Sequence, residues 1–425
     1  MSLPWNAERP ERMIRLTMRG GMLLGASALA FSCAYLFGWD ALLIIGGFTG
    51  VPPLLALWFV RKRRPRMSAR RVFSPRSVSV GQTATVRAEL ANLSASRTAQ
   101  ARWRDILPWR PGSTPAAPLA SLGGAGRGPA QQSIARLHYE ITPPRRGIVD
   151  IGPMVVDFAD PFGLARGEFV IGTPQKLVVP PEAVPLTRDA VGLTADSGSA
   201  RRFQRRAIAG DDDLMTREYR PGDALRRVHW RASAHHGELM VREEEQRSLA
   251  EALIVLETRR VGYPDAARNP GPDEPQSESF EWALRMTASL SIHLGSDGFL
   301  VRVIETAPAR LASAGDGDEF MESLASIQLS YSDGDQLELA PGGPRSDTSL
   351  GSVFAILGDP DAGTIRRLAD QRTSFNLASA FLVAPRRSDA IAALTLAGWR
   401  CVAVEPGDSV TGAWGSLDED GHNAG

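Results

Sequence analysis

The chain has 425 residues, enough for two or three folded units at the usual domain size. Hydrophobic residues make up 43% and charged residues 23%, which excludes a disordered or fibrous protein. Lys+Arg and Asp+Glu both number 48, so the bulk basic character of a nucleic-acid-binding protein is absent and no nucleic-acid partner is expected. The only lysines are Lys62 and Lys176; with the abundant Ala, Gly and Pro, this reads as the codon bias of a GC-rich genome. Two cysteines, Cys33 and Cys401, cannot build a disulfide framework.

Two apolar runs, 20–37 and 41–60, carry no charge and are separated only by Gly38, Trp39 and Asp40. As helices they reach roughly 27–30 Å, the thickness of a bilayer's hydrocarbon core. Residues 20–60 therefore predict a two-helix transmembrane hairpin. Arg9, Arg12, Arg15 and Arg19 precede it, and Arg61, Lys62, Arg63, Arg64 and Arg66 follow it, so the positive-inside rule puts both ends of the chain in the cytoplasm. A cleaved signal is the rival, because Ala30-Phe31-Ser32-Cys33 faintly resembles a lipoprotein site; Phe31 fits that poorly and a second full-length run follows at once. The pairs Gly21/Gly25 and Gly46/Gly50 lie at different depths and are not expected to pack on each other. Pro52-Pro53 predicts a kink in the second helix.

Residues 1–19 are then a cytoplasmic N-terminus and the next domain is expected at 72–185. Period-two alternation there marks strands at 77–90 (broken at Gly81-Gln82), 99–106, 133–141, 148–156, 168–171 and 176–179, with Gly/Pro turns between them, as in an Ig-like antiparallel all-β sandwich. The tract 108–130 is expected to be a mobile loop. The arginines Arg201, Arg202, Arg205 and Arg206 precede Asp211-Asp212-Asp213, which points to an intramolecular or lipid-facing role. From 250 to 406 the texture changes to apolar strands at 252–257, 299–305, 353–357, 380–384 and 401–405, alternating with helices at 280–294, 318–329, 362–371 and 387–398. That alternation predicts an α/β domain, a Rossmann-type parallel sheet with helices on both faces, followed by a flexible tail at 407–425. The expected fold class is a membrane α-hairpin plus an all-β sandwich plus an α/β domain, the sandwich holding the last off the bilayer.

Between sandwich and α/β domain, within 186–249, lies Arg217 to Glu245, REYRPGDALRRVHWRASAHHGELMVREEE. Pro221-Gly222-Asp223 is a turn signal. Around it Arg217, Glu218, Arg220, Asp223, Arg226, Arg227 and Arg231 mix donors and acceptors at close range, so an ion-pair network is expected. Tyr219 and Trp230 are anchors against a partner or a neighbouring domain.

This stretch resembles the signature of the domain of unknown function 58 family, approximately REY-x-PGD-x-x-R-x-I-D-W-x-A-S-A-R. Arg217, Glu218, Tyr219, Pro221, Gly222, Asp223, Arg226, Trp230, Arg231, Ala232, Ser233 and Ala234 match, followed by Gly237, Glu238, Leu239, Val241 and Arg242. Pro144-Arg145-Arg146-Gly147 and Asp160-Pro161-Phe162-Gly163-Leu164 look like the family's preceding elements, and the domain order is similar too. Departures are Val228-His229 and His235-His236. The resemblance implies a von Willebrand A-like α/β domain and a membrane-anchored adaptor for a MoxR-type AAA+ ATPase acting on an unknown client protein, with Arg217, Glu218, Tyr219, Pro221, Gly222, Asp223, Arg226, Trp230, Arg231, Ser233, Gly237 and Glu238 as the partner-binding or signature set. Whether that set is a partner surface or a joint between domains stays open at this point.

A von Willebrand A-like domain takes a divalent ion through Asp-x-Ser-x-Ser after its first strand. Here the aligned run is Glu257-Thr258-Arg259-Arg260-Val261, and a guanidinium repels such an ion, so no metal and no cofactor are expected. Asp359 reads as an exposed turn carboxylate. His229, His235 and His236 lack a zinc-ligand pattern and read as loop histidines, and Ser233 with Asp223 lacks a nucleophile elbow. No Gly-x-x-x-x-Gly-Lys-Ser/Thr motif supports ATP hydrolysis by this chain. The expectation is a non-enzymatic interaction module; the alternatives are a metal-dependent von Willebrand A-type ligand-binding or adhesion protein and an enzyme of unrecognised type.

Overall fold

Residues 13–62, 65–109, 111–126, 130–187, 216–219, 228, 230–242, 251–267, 274–331, 350–386 and 388–422 are described in a computed structural model of the chain. Two units divide it near Pro180.

The first unit opens with a strand the hydropathy pattern did not reveal, β1 (Met13–Leu16), followed directly by α1 (Met18–Phe37) and α2 (Asp40–Lys62). Thr17 caps α1 by accepting the Gly20 N–H at 3.3 Å, and Gly38 ends it in the left-handed conformation. Both helices are long and apolar enough to cross a membrane. Ser27 Oγ donates to the Gly46 carbonyl at 2.7 Å, so α1 and α2 touch through Ser27, Gly46 and Gly50, while Gly21 and Gly25 stay exposed, as their different depth predicts. Pro52 and Pro53 lie inside α2, which continues through them.

After the hairpin come β2 (Met67–Ser74), β3 (Ala84–Asn92), β4 (Ala101–Asp105), β5 (Ala117–Leu119), β6 (Ile134–Ile141), β7 (Gly147–Ile151), β8 (Met154–Ala159), β9 (Ala165–Ile171) and β10 (Gln175–Val179). They form antiparallel sheets of order β1-β9-β8-β4-β5, β2-β3-β6 and β10-β7. The strand expected at 77–90 is β3 alone, with Ser77 making a single bridge to Val178, and the one expected at 148–156 is two strands parted at Gly152-Pro153. The tract 108–130 is corrected too. It supplies β5, and its buried Trp109, Leu119 and Leu122 outweigh its loop-like composition. At the sandwich centre the Arg71 guanidinium donates to both Asp105 oxygens at 2.6 and 2.7 Å, and the Tyr139 hydroxyl donates to the same carboxylate.

The second unit holds β11 (Thr216–Glu218), α3 (Trp230–His236) and β12 (Met240–Arg242), then β13 (Glu251–Leu256), α4 (Glu278–Ser296), β14 (Leu300–Glu305), α5 (Gly317–Ser326), β15 (Leu350–Leu357), α6 (Ala362–Asp370), β16 (Phe375–Val383), α7 (Ser388–Leu396), β17 (Arg400–Val404) and α8 (Val410–His422). The expected parallel sheet is present, in the order β14-β13-β15-β16-β17, with a separate apolar core on each face. The residues expected as a flexible tail are corrected to a helix: α8 buries Trp414, whose indole N–H donates to the Thr187 carbonyl at 2.9 Å. Cys401 on β17 is half-buried, and burial pushes its thiol up.

Candidate functional site

In the second unit, successive connections leave β13 in opposite directions, to β14 on one side and later to β15 on the other. Open α/β sheets bind ligands outside the carboxyl ends of the strands at this switch point. Here the crevice is filled by Arg259. Its Nε and Nη2 donate to Glu257 at 3.0 and 2.8 Å, Nη2 also to Thr364 Oγ1 at 2.8 Å, and Nη1 to Asp361 Oδ2 at 2.8 Å. The Thr306 hydroxyl closes the cage onto Glu257. The Arg259 side chain is 4% exposed, whereas that of Asp361 is 45% exposed. Gly358 is required beside it, because a Cβ there would lie 2.0 Å from the Gly262 carbonyl oxygen.

These bonds set the charges. Glu257's hydrogen bonds hold the guanidinium's pKa above its ordinary value against the opposing effect of burial. Burial alone would raise the Asp361 carboxyl; the Thr364 N–H, Arg259 and the Gly363 N–H outweigh it and hold the carboxyl below the usual range. A guanidinium therefore sits among the oxygens that a divalent ion would need, so these residues as they stand do not fit a metal. The sequence pointed to Arg259 but not to Asp361, whose signal was its N-cap position on α6, and it read Asp359 as an exposed turn carboxylate. Asp359 is not a plain exposed carboxylate: it is half-buried, and its Oδ1 finds no hydrogen-bond partner among the described residues.

The signature set lies upstream. Arg217 and Glu218 stand on β11, paired with Val241 and Met240 of β12. Tyr219 is half-buried and its N–H donates to the Leu239 carbonyl at 2.8 Å. Ser233 Oγ accepts the Met240 N–H at 2.8 Å, tying α3 to β12. Val228 and Met240 are buried, while Trp230 is 70% exposed and Leu239, Gly237 and Glu238 are exposed with it. The histidines expected in a loop, His235 and His236, end α3 instead. Arg231 starts α3 beside Trp230. Pro221, Gly222, Asp223 and Arg226 lie outside the described residues, as do His229 and the arginine and aspartate runs at 201–213.

Residues 215–264 match the family model described as a protein of unknown function, DUF58. The chain carries the DUF58 signature. The DUF58 match runs past the signature motif, through β13 and on to the turn after Arg259, so the exposed Trp230 segment falls inside it together with Glu257 and Arg259, while the cage partners Thr306, Asp361 and Thr364 lie beyond it. No curated protein matches the chain. Among solved structures, a CARDB domain from Pyrococcus furiosus in complex with di-metal ions is 16% identical with TM-score 0.18, over 26% of this chain and 90% of that one. A Pseudomonas fluorescens alkylpurine DNA glycosylase, AlkC, bound to DNA with an abasic-site analogue is 10% identical with TM-score 0.16, over 32% of this chain and 43% of its own. A Paenibacillus cycloisomaltooligosaccharide glucanotransferase complexed with cycloisomaltoheptaose is 10% identical with TM-score 0.18, over 79% of this chain and 52% of its own. At such TM-scores none of the three bears on fold or function.

Proposed function

We propose that this protein is a membrane-anchored, non-enzymatic interaction module whose hairpin keeps both chain ends in the cytoplasm, and that its partner is a MoxR-type AAA+ ATPase, as the family resemblance implies. The observation that carries the reading is Trp230, 70% exposed at the start of a helix that Ser233 and the short β11–β12 ladder hold in place. A large aromatic on a fixed support is the usual hot spot of a protein interface. It favours a partner surface over a buried joint between domains. The von Willebrand A-like assignment of the parallel sheet belongs to the same reading, and the Arg259 guanidinium in the switch-point crevice weighs against its metal-dependent adhesion variant.

The test is capture of AAA+ ATPases from membranes of the native host by the detergent-solubilised full chain. The expected outcome is retention of a MoxR-type ATPase, with Trp230→Ala weakening binding by about 30-fold, the loss typical of a hot-spot truncation. Equal retention by the wild type and the variant overturns the docking surface.

A further inference from the structure

The strand before the hairpin gives the sandwich a direction. β1 runs straight into α1, so the end of the sheet at Leu16 is the end nearest the bilayer. Leu16 pairs with Ala165, the first residue of β9, so the β8–β9 turn protrudes at that same end. It is fastened to the helix start: the Thr17 N–H and hydroxyl donate to the Leu164 and Gly163 carbonyls at 2.8 and 2.7 Å. A Cβ at Gly20 would stand 2.2 Å from the Leu164 oxygen, so only glycine lets α1 and the turn come this close. Inside the turn the buried Asp160 accepts the Phe162 and Ala165 N–H groups at 2.8 and 2.6 Å. Those bonds fix the loop with Phe162 outward, 76% exposed.

The second sheet ends at the same level. β2 starts five residues after α2, so Arg66 lies within about 14 Å of the helix end, and the Leu93 N–H donates to its carbonyl at 2.7 Å. Leu93 is 59% exposed. Among the described large apolar side chains of the sandwich, Phe162 and Leu93 are the two most exposed, and both stand at the hairpin end. Exposed Arg15, Arg19, Arg61, Lys62, Arg66 and Arg97 surround this end of the unit, and Asp160 is turned inward by its own hydrogen bonds. Apolar tips within a basic rim match a surface of anionic headgroups over acyl chains.

We propose that this end of the sandwich is a lipid-binding foot, seated on the anionic leaflet with Phe162 inserted into the headgroup boundary and Leu93 as a shallower contact. The inference rests on the hairpin spanning the bilayer, and the experiment separates the two. In a full-length Cys33→Ser, Cys401→Ser background, single cysteines at Phe162, Leu93, Val170 and Leu55 carry an environment-sensitive fluorophore in vesicles of phosphatidylglycerol and phosphatidylcholine. Val170 is an exposed site on β9 itself, about 17 Å along the strand from Ala165 and beyond Gly167, where Val60 of α2 packs; Leu55 is an exposed site inside α2.

The expected result is several-fold stronger quenching by nitroxide lipid than by aqueous iodide at 55 and 162, a smaller excess at 93, and the reverse at 170. Iodide quenching at 162 equal to that at 170, with 55 still lipid-quenched, overturns the foot and leaves the hairpin standing. Shielding of 162 from both quenchers places it against protein and overturns it too. Iodide quenching at 55 refutes the membrane-spanning hairpin and the foot together. All four substitutions lie on exposed side chains, so each variant is expected to fold.

Discussion

Each unit buries one arginine against a carboxylate, and the two cages differ in what surrounds them. Arg71 and Asp105 meet at the centre of the sandwich, both side chains 0% exposed, with Tyr139 and the Thr173 carbonyl completing the shell. Arg259 meets Glu257 at the open end of a parallel sheet and shares its charge with a second carboxylate, Asp361, that faces water. A buried pair repays the cost of leaving water only when all its donors and acceptors are met. The sandwich cage answers that condition with partners from inside the unit, Asp105, Tyr139 and the Thr173 carbonyl, and acts as a lock between sheets. The Arg259 cage meets it partly through solvent, at the place where α/β sheets otherwise hold ligands.

Breaking the sandwich cage is expected to give the largest effect. Asp105→Ala leaves Arg71 charged and sealed without its counter-ion, removes the acceptor of the Tyr139 hydroxyl, and should cost about 3–5 kcal/mol. Hydrogen exchange on β3 and β4 peptides, under conditions where the α/β unit stays protected, measures it. A loss below about 1 kcal/mol would make this cage no different from a surface pair.

Next in size is the switch point. Arg259→Ala strands Glu257 among Thr306 and the residue-259 backbone N–H, and should cost about 2–3 kcal/mol, less than Asp105→Ala because water can enter beside the half-exposed Asp361. Arg259→Lys should recover only part, since an ammonium is a point charge and cannot fork across Glu257 while reaching Asp361. Exchange protection of β13 and α6 peptides is the measurement. Full recovery by lysine would show that a positive charge alone, and not the planar fork, fills the crevice.

How much of this was legible in the sequence follows from the range of each interaction. The hairpin, the parallel strands and the helices between them announce themselves through runs of apolar residues, so 252–257 and 280–294 fell close to the observed β13 and α4. The DUF58 signature was readable because its residues are contiguous. β1 was hidden, because Met-Ile-Arg-Leu forms a strand only by pairing with β9, about 150 residues away. β5 was masked by its Pro and Ala content, and α8 by glycines that the burial of Trp414 offsets. Arg259 was legible as an obstacle to a metal, yet its partner Asp361 lies 102 residues away and only the fold brings the two together. The exposure of Phe162 likewise depends on how Asp160 folds its own turn.

The smallest effect separates the cages most cleanly. Asp361→Asn keeps the cap on α6, because asparagine caps a helix about as well as aspartate, and removes only the charge facing Arg259. Since the Asp361 side chain is half exposed, the loss should stay under about 1 kcal/mol and shrink further in high salt. Its pH dependence has a definite sign. A carboxyl held below its unfolded value stabilises the fold above that value, about 3.9, and loses its contribution as pH falls through the lower folded value. Exchange protection of α6 should therefore fall more steeply with acid in the wild type than in Asp361→Asn, and salt should narrow the gap between them. An effect as large as that of Asp105→Ala, unmoved by salt, would mean that Asp361 is sealed from water and that the switch point is a closed lock like the one in the sandwich.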